Sequence, residues 1–259
     1  MAHIDMRPFM CRSDNFGLII HDSKSGATAA IDAPDATAIE RELRKFGRQL
    51  THIFVTHHHA DHVEGNLQLK ELFGCKIIGP AAEADKIPGL DVAVRGGETF
   101  MWAGRKVEVI DCPGHTKGHI AFHMPEEFSL FAGDTLFSVG CGRVLEGTME
   151  EMCNSVTQFK SLPSLTYLYC GHEYTLANCD FALTIDPDNR HLQARRNEVE
   201  AILKRGGMTC PANMGNEFKT NPYLRLGDAS IRRTLDMEGA SDLEVFTAIR
   251  NAKNVFKSP

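Results

Sequence analysis

The chain has no apolar run long enough to span a bilayer, no C-x-x-C pair, no G-x-S-x-G elbow, no P-loop and no excess of positive charge. Each absence removes a class of function. Without about 20 consecutive apolar residues, no transmembrane helix is expected. The start, Met1-Ala2-His3-Ile4-Asp5-Met6-Arg7-Pro8, lacks the basic residues, apolar stretch and small-residue cleavage site of a secretory signal, so the expected address is cytoplasmic. Eight cysteines, at positions 11, 75, 112, 141, 153, 170, 179 and 210, are spread over a chain too large to need covalent staples. They read as reduced and structural, Cys141 included. A formal net charge of −6 argues against broad nucleic-acid binding, so an anionic substrate has to meet a local basic patch. The missing elbow and P-loop leave neither a serine hydrolase nor an NTPase.

What is present is a mixture of short apolar runs and helical periods. Phe16–Ile20, Ala27–Ile31, Ile53–Val55, Lys76–Ile78, Val107–Ile110, Ile120–His123, Phe128–Ala132 and Tyr167–Cys170 predict strands. Ala36, Ile39, Leu43 and Phe46 recur at helical spacing and stop at Gly47. Thr148 with Glu151, and Ser241 with Glu244, have the form of capping boxes. Strand-like runs fade after Tyr174, and Asp186-Pro187-Asp188-Asn189 breaks what become helical segments. Two domains are therefore expected, residues 1–174 of mixed α and β and residues 175–259 of helices. Arg250 and Lys253, three apart near the end of the last helix, share a face.

Thr56-His57-His58-His59-Ala60-Asp61-His62 packs four imidazoles and a carboxylate into seven residues directly after an apolar run. His57 and His59, two apart on an extended exit, point the same way and can share an ion. Val63, Leu67 and Leu72 predict a helix whose first turn carries Asp61 and His62 toward a second ion. Three further places repeat one grammar of strand, glycine and ligand: Gly114-His115, Gly133-Asp134 and Gly171-His172. Glycine lets the backbone turn sharply at a strand end, so the next side chain can be aimed into a shared crevice. The seven candidates, five histidines and two aspartates, suit two ions of zinc, iron or manganese. With Asp134 bridging, His57, His59 and His115 complete one coordination sphere and Asp61, His62 and His172 the other. His3, His21, His52, His58, His119, His123 and His191 are read as turn or satisfied surface polar groups. Two divalent ions lower the pKa of bound water from 15.7 toward ~7 and attract a carbonyl or phosphoryl oxygen, so hydrolysis is the natural reaction class.

H-x-H-x-D-H followed by Gly114-His115, Gly133-Asp134 and Gly171-His172 resembles the metallo-β-lactamase superfamily. With Gly133-Asp134-Thr135-Leu136-Phe137, Gly140-Cys141-Gly142-Arg143, Glu146-Gly147-Thr148, Gly171-His172-Glu173-Tyr174-Thr175, Asn221-Pro222 and Arg250-Asn251-Ala252-Lys253, the chain is similar over nearly its whole length to the glyoxalase II, or hydroxyacylglutathione hydrolase, family. The resemblance implies an α+β fold, a four-layer αββα sandwich with a small C-terminal α-helical domain. It implies hydrolysis of S-D-lactoylglutathione to D-lactate and glutathione by a metal-bridging hydroxide, with two divalent ions, most readily zinc, on the seven residues above. Asp61 and Asp134 would serve catalysis. Arg143, Leu145, His172, Tyr174, Arg250 and Lys253 would meet a small-molecule glutathione thioester, with no nucleic acid, membrane or obligate protein partner. Arg143 stands where the family often has lysine and Leu145 where it often has a tyrosine. The alternatives are a persulfide dioxygenase holding one iron at His57, His115 and Asp134, another thioesterase of the same fold, a superfamily nuclease, and a non-catalytic metal-binding protein.

Overall fold

A computed structural model describes residues 4–257; His3 lies outside them. The chain packs as two compact units, one of residues up to Asp111 with Thr116–Gly133, the other of Cys112–His115 with the residues from Asp134 on.

The first unit opens with β1 (Ile4–Cys11), β2 (Asn15–Asp22) and β3 (Thr28–Ile31), then α1 (Ala36–Lys45), β4 (His52–Phe54), the single turn α2 (Ala60–Val63), α3 (Asn66–Phe73), β5 (Lys76–Pro80) and β6 (Val92–Val94). These strands form one sheet in chain order, antiparallel across β1, β2 and β3 and parallel from β3 to β6. β1 is not among the strands that the apolar runs predict. It is an edge strand carrying Pro8, which costs no ladder bond where only β2 is a neighbour. α1 forms because Asp35 caps it, accepting from the Ala38 amide at 3.0 Å, and because Ala36, Ile39 and Leu43 meet Ile53, Val55 and Ile77 of the sheet. β7 (Thr99–Trp102), β8 (Arg105–Asp111), β9 (Ile120–Met124) and β10 (Ser129–Gly133) make an antiparallel meander. Its inner face meets the first sheet through Phe54, whose ring centroid lies 5.4 Å from those of Phe100 and Phe122 and 6.0 Å from that of Trp102. Helix, sheet and sheet are thus stacked within this unit.

The helix expected through Val63, Leu67 and Leu72 is instead interrupted at Gly65. Its amide donates to Ala33 O at 2.9 Å, and a Cβ there would also fall 2.9 Å from that oxygen. The backbone has to approach the end of β3 closely, and α3 restarts with Leu67 and Leu72 exposed.

The second unit holds the small hairpin β11 (Leu136–Phe137) and β12 (Gly140–Cys141), α4 (Met149–Thr157), β13 (Tyr167–Cys170), α5 (Thr175–Ile185), α6 (Arg190–Lys204), β14 (Ala212–Asn213), α7 (Met214–Thr220), α8 (Ala229–Thr234) and α9 (Asp242–Val255). Both capping boxes are formed, at Thr148 for α4 and Ser241 for α9. Asp186-Pro187-Asp188-Asn189 separates α5 from α6 because Asn189 caps α6 while Asp186 accepts from Asn189, Ser230 and Arg225. Val139, Cys179, Ala182, Leu192 and Val199 form a core between them. All eight cysteines are buried thiols outside any disulfide. No helix among the described residues is long and apolar enough to cross a membrane.

Candidate metal and substrate site

In the first unit, the exit of β4 brings His57 and His59 together, rings 4.8 Å apart, with His57 Nε2 3.2 Å from His59 Nδ1. His62, on α2, tilts against His57 at 4.1 Å. The ring tautomers follow from the hydrogen bonds. Asp32 accepts from the Thr56 amide at 2.7 Å and from Thr56 Oγ1 at 2.9 Å, so Thr56 Oγ1 is left to accept from His57 Nδ1 at 3.0 Å. Asp32 also accepts from His62 Nδ1 at 2.8 Å. Both rings therefore carry their proton on Nδ1 and keep Nε2 as the unprotonated nitrogen, His57's facing His59 and His62's facing Asp61, as metal-binding imidazoles do. Asp61 is held by Asn15, whose Nδ2 donates to its Oδ2 and its carbonyl, each at 3.1 Å, and its Oδ2 lies 3.6 Å from His62 Nε2.

Several of these partners lie outside the motifs of the sequence. Asp32 follows Ala27–Ile31 directly, a strand followed by a carboxylate, and the missing glycine hides the pattern. Glu83, buried, accepts from the amides of His58 and Gly118, each at 2.8 Å, and pins the histidine loop. His119 is not a surface group: it is buried and stacks on His57 at 4.6 Å, with 24° between the rings. His123 is also buried, and pairs with Glu108 at 2.9 Å. Gly133 ends β10 at φ 48°, and a Cβ there would lie 2.5 Å from Thr56 Oγ1 and 2.8 Å from His119 Nε2. Only glycine fits that close approach.

In the second unit, Asp134 Oδ2 lies 3.4 Å from His115 Nε2 and 3.3 Å from His172 Nε2. His115 Nδ1 sits 2.9 Å from the Arg143 carbonyl, which only accepts, so this ring too is protonated on Nδ1 and presents Nε2. His172 stacks on Tyr174 at 4.9 Å with 1° between the planes, and Phe137 meets both edge-on at 6.1 and 5.4 Å. A cavity of about 480 Å³ runs from His115 and Asp134 past Phe137, Cys141 and Tyr174 to Arg143, Arg250 and Lys253. Arg250 is 3% exposed and donates to the carbonyls of Cys141 at 2.7 Å and Gly142 at 3.3 Å. Lys253, one turn on, donates to Ala177 O at 2.8 Å, and burial with the nearby Arg250 charge lowers its pKa from 10.5 to about 8. Burial pushes the Cys141 thiol up to about 11, so it packs rather than reacts. Leu145 is 58% exposed and is not among the residues lining this cavity.

Imidazoles with Nδ1 held and Nε2 presented, beside aspartates, form a donor set that fits divalent metal. Residues 22–172 match the family model of the metallo-beta-lactamase superfamily, and residues 173–256 that of the hydroxyacylglutathione hydrolase C-terminus. A hydroxyacylglutathione hydrolase of Rhizobium meliloti (strain 1021) is 52% identical over 256 residues, 99% of this chain and 100% of the relative. One of Brucella abortus (strain 2308) is 51% identical over 98% of each chain. Among solved structures, ETHE1 from Myxococcus xanthus superposes with a TM-score of 0.68 at 23% identity, covering 95% of this chain and 90% of that one. TTHA1623 in a di-iron-bound form does so with 0.59 at 22%, covering 84% and 100%. The fold is the α+β metallo-β-lactamase fold with a helical C-terminal region, and the chain belongs to the hydroxyacylglutathione hydrolase family of that superfamily.

Proposed function

We propose that this protein hydrolyses S-D-lactoylglutathione and related S-2-hydroxyacylglutathiones to D-lactate and glutathione, the second step of methylglyoxal detoxification, in the cytoplasm. Residues 1–174 form the catalytic domain and residues 175–259 the helical substrate-binding domain, which meets substrate together with Arg143 and Tyr174. His57, His59, Asp61, His62, His115, Asp134 and His172 hold two divalent ions, most readily zinc, with iron or manganese also suited to the donors. When bound, such ions supply Lewis acidity and water of lowered pKa.

The observation that carries this reading is the cavity of the second unit. Metal-suited donors, His115 and Asp134, stand in the same 480 Å³ space as Arg143, Arg250 and Lys253. Glutathione presents two carboxylates, and a protein of net charge −6 must gather cations locally to receive them. Arg143 and Lys253 attract the carboxylates, Arg250 fixes the wall between them, and Tyr174, stacked on His172, offers its hydroxyl beside a ligand ring. Asp61, oriented by Asn15, directs the attacking water, and His115, anchored by Arg143 O, keeps its Nε2 aimed at the reacting end. The leaving thiolate, with an ordinary thiol pKa of about 8.5, needs no strong general acid. The test is the loss of the ultraviolet thioester absorbance of S-D-lactoylglutathione on protein loaded in turn with zinc, iron or manganese. Rapid loss abolished by a chelator is expected; no loss with two ions bound per chain would overturn the proposal.

A further inference from the structure

The hairpin of β11 and β12 turns through Ser138 and Val139, and Val139 sits at φ 57°, a left-handed conformation that a β-branched residue rarely enters. Such a turn persists only where its surroundings over-determine it. Here they do. Glu217, on α7 and fully buried, accepts from Ser138 Oγ at 2.9 Å and from the Val139 amide at 2.7 Å. Asn221, also fully buried, donates to the carbonyls of Phe137 at 3.2 Å and Gly140 at 3.1 Å and to Glu217 at 3.1 Å. Asn178 donates to Ser138 O at 3.1 Å. Burial raises the Glu217 pKa, so a carboxyl is kept in an unfavourable place to hold this turn.

The two arms of the turn end in the cavity. Phe137 meets His172 and Tyr174, and the Cys141 carbonyl receives Arg250. We propose that Glu217, with Asn221, is a positioning residue of the substrate cavity: it holds the strained Ser138–Val139 turn so that Phe137 and the Cys141 carbonyl keep the cavity wall and Arg250 in place. This rests on the reading of that cavity as the glutathione site.

The chemistry sets the test. A glutamine at 217 can still accept from Val139 N and Asn221 and can donate to Ser138 Oγ, whereas alanine, or aspartate one methylene shorter, strands those donors. With metal-loaded full chain and S-D-lactoylglutathione, Glu217→Ala and Glu217→Asp are expected to raise KM about tenfold while kcat changes far less, and Glu217→Gln to stay within about twofold of the parent. A merely structural role would lower the active fraction, and so kcat, at unchanged KM. Unchanged KM in the alanine and aspartate variants, or a glutamine variant as impaired as alanine, overturns the proposal. If Glu217→Ala does not fold, comparison of the aspartate and glutamine variants separates the same two outcomes. Thiol labelling of Cys141, read by peptide mass, is expected to be faster in the aspartate variant than in the parent or the glutamine variant, and equal rates overturn the clamp. Because labelling needs no substrate, a parent protein inert toward glutathione thioesters would defeat the proposed function while labelling still decides whether Glu217 holds the turn.

Discussion

The two units supply metal-suited donors in opposite ways. In the first, His57, His59, Asp61 and His62 come from six consecutive residues between β4 and the end of α2, oriented by Asp32 and Asn15. In the second, His115, Asp134 and His172 come from three separate loops, with cavity cations added from α9. A local cluster needs little more than a strand exit and one helical turn to converge. A dispersed one needs the whole unit, including buried groups such as Glu217 that do not line the cavity. Local clusters are therefore legible as motifs, and dispersed ones show only their donors.

The largest expected effect asks whether the first cluster can work alone. Asp134→Ala is expected to lose both ions and to slow thioester hydrolysis by about a thousandfold, roughly 4 kcal/mol of barrier. Metal content per chain, measured beside the rate, decides between the alternatives: one ion retained would show that the first unit holds metal without the second. A smaller effect is expected at Asp32, which accepts from His62 Nδ1. Asp32→Ala should weaken metal binding about 10- to 100-fold, and the buried Thr56 amide left unpaired should cost about 1–3 kcal/mol of stability. A chelator competition and a denaturant melt measure the two, and an unchanged metal affinity would remove Asp32 from the site.

The smallest effect concerns pH. Lys253 loses its charge as pH rises through about 8, so KM for the anionic thioester should rise between pH 7 and 9 and flatten in Lys253→Arg. The stability sign is the reverse. The unfolded chain holds this proton up to the ordinary 10.5, so the cost of a charged Lys253 is full below about 8 and is relieved between 8 and 10.5. Identical pH profiles for KM in the parent and Lys253→Arg would show that this charge does not meet substrate.

Much of the fold is legible in the sequence, for physical reasons. The eight apolar runs each overlap a strand, to within a residue at an end, because Ile, Val and Phe pack on a half-buried pleat, and the boxes at Thr148 and Ser241 start helices because each satisfies two orphan amides. β1 is not legible because Arg7 and Pro8 break its apolar pattern, which an edge strand tolerates. The break at Gly65 is hidden because its cause, the Ala33 carbonyl, is distant in sequence. His119 looks ordinary for the same reason: its stacking on His57 is a contact across 62 positions.

By itself the sequence determined the donor chemistry, the strand and glycine pattern that aims it, and the family to which the chain belongs, because these depend on residue type and short spacing. Tertiary structure decided which nitrogen His57, His62 and His115 present, how far burial lowers the Lys253 pKa, why Arg250 is spent on backbone carbonyls, and what holds a strained valine in place. Those properties depend on distances between residues remote in sequence, and on desolvation, which exists only once the chain is packed.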